Sequence, residues 1–209
     1  MSPATTADLQ DRRVMETGIA AFVGFVDALG FVVLGGFFVS SVDATTTQTG
    51  VALGGGIHWP LGLLAAILGS FLIGVMAATY VGRCWPRRRV TGAFMVATAA
   101  LVASGLIGQI SDSRVMIGFT LALAMGSANT LVEPAGLLVD MARALSERLQ
   151  STRSRVWARH LLLWVAMTLG AAVGAVLGSH LGTSTAWIAA AIALLVAIRA
   201  AVTPNGTPS

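Results

Sequence analysis

Charged residues are scarce in this sequence, and lysine is missing altogether. Only 11% of the 209 residues are charged and 56% are hydrophobic, whereas soluble domains have about 25% and about 45–50%. All 13 basic residues are arginines. A soluble fold of this length needs a more polar surface, so we expect lipid to cover most of the exterior. The composition therefore predicts an integral membrane protein.

The sequence also has few groups suited to covalent or metal chemistry. Its single cysteine, Cys84, excludes an intrachain disulfide and a cysteine-based metal site. The three histidines, His58, His160 and His180, have no metal-ligand spacing, and no P-loop, dinucleotide or serine-hydrolase fingerprint occurs. We therefore expect a protein that is not an enzyme and that has no metal and no cofactor.

The net charge of +4 does not indicate a nucleic-acid partner. The arginines lie in short segments beside apolar runs, whereas nucleic-acid binding needs a basic face on a folded polar domain. The partners that we expect are the lipid bilayer and a small molecule or ion that the sequence does not identify. Assembly into a homo-oligomer stays open.

Six apolar segments approach the roughly 20 residues that a helix needs to cross a bilayer about 30 Å thick. They are residues 17–39, 61–81, 91–110, 115–132, 161–181 and 182–198. With the N-terminus inside, 12 of the 13 arginines face the cytoplasm and Arg114 alone lies outside, as the positive-inside rule requires. We expect an all-α polytopic membrane protein with six transmembrane helices, two cytoplasmic termini, and a disordered tail at residues 203–209.

Two of the apolar segments share a short pattern. The first contains Gly24-x-x-Asp27, and the fourth contains Gly126-x-x-Asn129. Because each half would hold three spans, an odd number, the second copy would enter the membrane upside down, as in many secondary transporters. The sequence thus predicts two inverted three-helix repeats within one membrane domain. The predicted repeats are residues 15–110 and 113–202.

The residues around this pattern resemble a known family. The similar stretches are residues 24–31, 35–40 and 46–51, and the second half echoes them in residues 126–129. They are similar to the YoaK-like family of bacterial inner-membrane proteins, a domain of unknown function, over essentially the whole chain. The resemblance implies a multi-pass protein of the bacterial cytoplasmic (inner) membrane and brings no established activity.

This sequence departs from that family at two steps. Residues 42–45, Val-Asp-Ala-Thr, stand where the family has a Met-Ser-Gly-Asn type step, and residues 140–141, Asp-Met, stand where it has Thr-Gly. Both steps lack the glycine of the family and contain a carboxylate instead of its hydroxyl residue. The resemblance therefore does not carry a ligand over to these positions.

Asp27 is the main candidate for a functional residue. It lies about 15 Å into the first span by helix rise, where a charged aspartate costs about 2.5–3.5 kcal/mol and usually marks a cavity or an ion pathway. Hydrogen bonding between helices explains the same residue without a ligand. Asn129 is its counterpart in the other half, so the two residues form a candidate site on the repeat axis.

Three further polar residues are candidates for this substrate or ion site. Glu133 precedes Pro134, which disfavours helix, so the fourth span is expected to break beside a carboxylate or simply to end at the membrane edge. Asp43 and Thr46 lie in a threonine-rich connection after the first span. That connection either lines an outward-facing vestibule as a re-entrant loop or is an exposed loop.

A stripe of small residues predicts a helix-packing surface on the fifth span. Gly170, Gly174, Gly178 and Gly182 recur every four residues, which lets another helix approach closely. The pattern leaves open whether that helix belongs to this chain or to a second copy. Together the features favour a small secondary transporter or permease. The alternative is a noncatalytic membrane scaffold or assembly partner, whose buried polar residues only bind helices together.

Overall fold

A computed structural model describes residues 6–56, 60–131 and 156–202, and all regular structure in these ranges is helical. The prediction of an all-α fold is confirmed for this part of the chain. Short 3-10 turns at Pro86–Arg88 and Gly182–Ser184 precede two of the α-helices. The α-helices are α1 (Thr6–Leu34), α2 (Val42–Gly54), α3 (Leu61–Cys84), α4 (Arg89–Ile110), α5 (Arg114–Asn129), α6 (Val156–Leu181) and α7 (Thr185–Val202).

Four stretches of the described residues are long and apolar enough to cross a membrane, which is compatible with a multi-pass membrane protein. They are Arg13–Leu34, Leu61–Cys84, Pro86–Ile110 and Ala158–Val202. The last has 45 residues and contains both α6 and α7, whereas α5 has only 16 residues and is not among the four. By length and composition, four stretches of the described residues could thus cross a membrane. The six transmembrane helices expected from the sequence stay a prediction.

Three helix pairs make the most extensive contacts, namely α1 with α6, α3 with α5, and α4 with α7. α1 also contacts α5 and α7, and α4 contacts α3 and α5. In the most apolar 18 residues of α1, 61% of the residues are buried, against 22% in the most apolar 18 residues of Ala158–Val202. α1 is therefore an inner helix.

α6 lies so close to α1 that the contact requires glycine. A Cβ at Gly170 or Gly174 would overlap a backbone carbonyl group of α1. The partners of residues 170, 174 and 178 are, in order, Ala21, Phe25 and Leu29. Because both series ascend together, the two helices run in the same direction. The glycine groove of α6 is thus occupied by a helix of the same chain.

Gly182 does not belong to this groove, which corrects its predicted role in packing. Its φ is +57°, in the left-handed region that favours glycine, and no atom lies within 4 Å of the position of a Cβ. α6 ends one residue earlier, so the four-residue spacing continues past the end of the helix. Gly182 serves the turn into α7 instead.

α3 and α5 form a second contact of the same kind. A Cβ at Gly74 would overlap the carbonyl group of Leu123, and a Cβ at Gly126 would overlap that of Phe71. In the first contact the corresponding overlaps are Gly170 with Ala21 and Gly24 with Met167. Residues 21 and 24 of α1 thus correspond to residues 123 and 126 of α5, with the same difference in residue number for both pairs. Residues 71 and 74 of α3 correspond in the same way to residues 167 and 170 of α6, with a second constant difference in residue number.

One end of the bundle is basic. There Arg159 forms an ion pair with Glu16, with 2.9 Å between Nη2 and Oε1, and joins the first parts of α6 and α1. Arg89, at the start of α4, donates a hydrogen bond of 2.7 Å to the carbonyl oxygen of Thr130. The turn between α3 and α4 adds further arginines. We call this the basic end.

Arg114 marks the opposite end. Its guanidinium lies over Gly35, where α1 has just ended, so that a Cβ there would be 3.4 Å from Nη1. The end of α1 and the start of α5 therefore meet. A cation in this position is favourable because the last carbonyl groups of a helix carry partial negative charge.

Candidate functional site

After α1 the chain turns back into the bundle. Gly35 and Gly36 have φ values of +78° and +104°, which a side chain would make unfavourable. The chain then runs back along α1, and Val39 packs directly onto Gly30, where a Cβ would lie 2.8 Å from its methyl groups. We call residues 35–41 the returning segment. It re-enters the bundle by more than one helical turn before α2 begins.

Asp27 holds the returning segment in place. Its Oδ1 accepts hydrogen bonds from the backbone N–H groups of Val39 and Ser40, each 2.9 Å long, and the side chains of Ser40 and Ser41 also interact with the carboxylate. Asp27 is 6% exposed and lies about 10 Å before the end of α1 by helix rise. The buried carboxylate is thus satisfied by the chain itself, as buried polar groups usually are.

Asn129 reaches the same segment from α5. Its Nδ2 donates to the carbonyl oxygen of Ser40 at 3.5 Å, which is long for a hydrogen bond, and its Oδ1 is buried without a hydrogen-bond partner. Ser40 therefore links the two residues, since its N–H binds Asp27 and its carbonyl faces Asn129. The structure brings these two candidates together around one residue of the returning segment.

α2 adds two polar residues of the threonine-rich connection that were not among the predicted site residues. Thr45 is 1% exposed, and its hydroxyl donates to the carbonyl oxygens of Phe38 (3.2 Å) and Ser41 (3.1 Å). Gln48 donates through Nε2 to the carbonyl oxygen of Gly36 at 3.4 Å, and its Oε1 is buried without a partner. Their i,i+3 spacing places both on one helix face, and that spacing was the available signal.

The structure does not bring Asp43 or Thr46 to this site. Both are exposed, because they lie on the other face of α2 from Thr45 and Gln48. The connection is also not the loop that the sequence predicted, since its residues form a helix of 13 residues. The assignment of Asp43 and Thr46 to the site is thereby corrected.

The remaining candidate, Glu133, lies outside the described residues, as do the predicted helix break at Pro134 and the tail at 203–209. Within the described part of the chain, no group of three or more His, Cys, Asp or Glu side chains could hold a metal ion. The site there consists of one carboxylate, two side-chain amides, hydroxyl groups and the backbone of the returning segment.

The sequence profile of one family, described as a protein of unknown function (DUF1275), matches residues 17–199. The chain belongs to this family. The DUF1275 match includes Asp27, the returning segment and Asn129. No curated protein and no solved structure matches the chain. The resemblance seen in the sequence thus holds at the level of an uncharacterised family, and the YoaK-like name and a bacterial source stay predictions.

Proposed function

We propose that this DUF1275 protein is a small secondary transporter or permease for a small molecule or ion, with its gate at the returning segment. The supporting observation is that Asp27 of α1 and Asn129 of α5 both bind the backbone of the same buried residue, Ser40. Discontinuous backbone held between two spans is a common form of transporter binding site.

The proposal includes six spans in two inverted three-helix repeats. The matched glycine contacts support it, since α1 corresponds to α5 and α3 to α6 at constant offsets. A twofold operation then exchanges the α1–α6 and α3–α5 pairs and maps the α4–α7 pair onto itself, in keeping with the three largest contacts. Gly105 meets Trp187 and Gly108 meets Thr183, so α4 and α7 run in opposite directions, as third and sixth spans would.

The basic end faces the cytoplasm in this proposal, because arginines flanking spans favour that side. Reporter fusions test it: those placed after Arg89 and at the C-terminus should be cytoplasmic, and those at Thr47, Ser113 and Thr183 should be external. An external C-terminus would contradict six spans. Cytoplasmic signals at Thr47 would place the returning segment on the wrong side of the membrane.

The gate works through competition for the Asp27 carboxylate. A proton or cation that reaches this group weakens its hydrogen bonds to the N–H groups of Val39 and Ser40, which frees the returning segment. The unpartnered amide oxygens of Asn129 and Gln48 then serve as acceptors for N–H or O–H groups of a substrate, or for a cation. Buried acceptors without partners are costly, so a ligand that satisfies them gains affinity.

Labelling of a single cysteine tests the gate without a known substrate. In a Cys84→Ser background, Ser40→Cys should react slowly with a small maleimide, and adding Asp27→Asn should accelerate it about tenfold, since a charge-assisted hydrogen bond contributes about 1.5–3 kcal/mol. Thr46→Cys is the matched control, because it is already exposed on α2 and should label equally in both backgrounds. Equal rates at Ser40→Cys would reject the gate.

Flux measurements distinguish a transporter from a membrane scaffold. The scaffold alternative is supported by the hydrogen bonds from Val39 and Ser40 to Asp27, because they satisfy the carboxylate without any ligand. Proteoliposomes containing a pH-sensitive dye are offered a panel of labelled metabolites and inorganic ions. Coupled uptake should be lost in Asp27→Asn and retained in Asp112→Asn, an exposed carboxylate that takes the same change. Unchanged flux in Asp27→Asn removes that residue from the mechanism. Absence of flux from wild type across the panel supports the scaffold.

A further inference from the structure

A hollow of about 760 Å³ lies at the basic end, where α3 meets α4. Its size falls within the range of small-molecule sites, about 300–1,000 Å³. The walls are largely apolar, and arginines from the turn between the helices complete the lining. The lining residues that matter here are Val81, Trp85, Arg87, Arg88, Thr91, Met95 and Val96.

The two arginines of this hollow have no counter-charge among the described residues. Arg87 and Arg88 are exposed, and neither guanidinium has a hydrogen bond or ion pair to any described residue. The next residue, Arg89, differs because its guanidinium is bound to the carbonyl oxygen of Thr130. The hollow thus has, at its rim, two cationic groups that no described residue binds, and it has an apolar interior.

Two further observations point to an anion at this rim. The hydroxyl oxygen of Thr91, in the wall, is buried and has no hydrogen-bond partner among the described residues. α4 begins beside it, and its N-cap residue Arg88 makes no side-chain capping bond. The N–H groups at a helix start favour negative charge. Two guanidinium groups, a hydroxyl group and a helix start therefore belong to the lining of the same hollow.

We propose that this hollow binds an anionic phospholipid, with its phosphate at Arg87 and Arg88 and an acyl chain against Trp85, Met95 and Val96. The occupant must be amphiphilic, because the rim is cationic and the interior apolar. Trp85 and Met95 are 66% and 50% exposed, so their apolar surfaces are open to such a chain, and tryptophan is enriched at this depth of the membrane. The inference rests on the membrane placement proposed above and not on transport.

Lipid binding to the purified full chain, measured by native mass spectrometry with phosphatidylglycerol and phosphatidylcholine of equal chain length, tests this proposal. Phosphatidylglycerol should bind more tightly. An arginine at the membrane surface contributes about a factor of five in affinity, so Arg87→Gln with Arg88→Gln should weaken it about 25-fold. Arg83→Gln is the control, since this exposed arginine lies at the same end outside the hollow and should leave the affinity unchanged.

A second variant tests the apolar part of the site. Val96→Trp fills the hollow without changing the charge, and should weaken phosphatidylglycerol binding while melting as wild type does. Equal losses in Arg83→Gln and in the double variant would show attraction to the whole basic end and overturn the proposal. So would equal binding of phosphatidylcholine. Competition by inorganic phosphate as effective as that by phosphatidylglycerol would reveal a plain anion site and reject the lipid.

Discussion

The contact between α1 and α6 and the contact between α3 and α5 are alike in backbone approach and unlike in polar chemistry. In each, glycines on both helices meet carbonyl groups at matching positions. Three residues after Gly24 comes a buried carboxylate with two short hydrogen bonds, whereas three residues after Gly126 comes an amide with one long bond. The close helix packing is thus duplicated in the two contacts, whereas the polar site is not.

Removing the carboxylate should give the largest loss of stability. Asp27→Ala leaves the N–H groups of Val39 and Ser40 buried without an acceptor, at a cost of about 2–6 kcal/mol, since each such group costs about 1–3 kcal/mol. Thermal unfolding in detergent measures it. Asp112→Ala, at an exposed position, should stay within about 0.5 kcal/mol of wild type. If Asp27→Ala lowers the free energy of unfolding by less than about 0.5 kcal/mol, groups other than Asp27 hold the returning segment.

The duplicated helix packing should respond equally in the two contacts. Gly170→Ala and Gly74→Ala each place a methyl group against a backbone carbonyl group, which cannot rotate away, so each should cost about 1–3 kcal/mol. Gly18→Ala and Gly69→Ala lie in helices with nothing within 4 Å of the added Cβ. They should be neutral or stabilising by about 0.5–1 kcal/mol. If only one of Gly170→Ala and Gly74→Ala lowers the free energy of unfolding, the two helix contacts are not equivalent.

Asn129→Ala should be milder than Asp27→Ala, at about 0.5 kcal/mol. It removes a single bond of 3.5 Å and at the same time removes the unpartnered amide oxygen, so the two effects partly offset each other. The same unfolding assay compares the two alanine variants directly. Equal losses would mean that both halves hold the returning segment to the same extent, and the contrast between the contacts would disappear.

The ion pair at the basic end should contribute least. Glu16→Gln removes the charge that faces Arg159, but the two side chains are 35% and 55% exposed, and exposed pairs contribute about 0–1 kcal/mol. We expect a change of about 0.3 kcal/mol in the unfolding assay, decreasing further at high salt. A loss as large as that of Gly170→Ala would assign the joining of α1 and α6 to charge instead of close packing.

Sequence reasoning identified the site residues that act through their side chains, Asp27 and Asn129. It missed Ser40, which acts through its backbone. The shared Gly-x-x-Asp and Gly-x-x-Asn pattern led to Asp27 and Asn129, which the structure brings to the same segment. Their common partner is the backbone of Ser40. Because nearly every residue has a backbone N–H and C=O group, the amino-acid sequence does not indicate which residue will be this partner. The spacing of the α6 glycines gave the groove, but not the point where the helix ends before Gly182.

α2 shows why the connection after the first span was misread. Threonine has low helix propensity because it is β-branched and its hydroxyl competes for backbone groups. Here those hydroxyls stay within the helix, since Thr47 donates to the carbonyl oxygen of Asp43 and Thr49 to that of Thr45. Tertiary packing therefore outweighed local preference. Once the segment is helical, its period turns Asp43 and Thr46 outward.

The contact between α1 and α6 joins segments that lie about 150 residues apart in the chain, since Gly170 meets Ala21. At roughly 5–20 residues per second, α1 waits on the order of ten seconds in the membrane before the ribosome has synthesised α6. During that interval the surface around Gly24 must be covered by lipid or by the insertion machinery. A chain that terminates before α6 cannot form this contact, so the glycine surface of α1 stays without its helix partner.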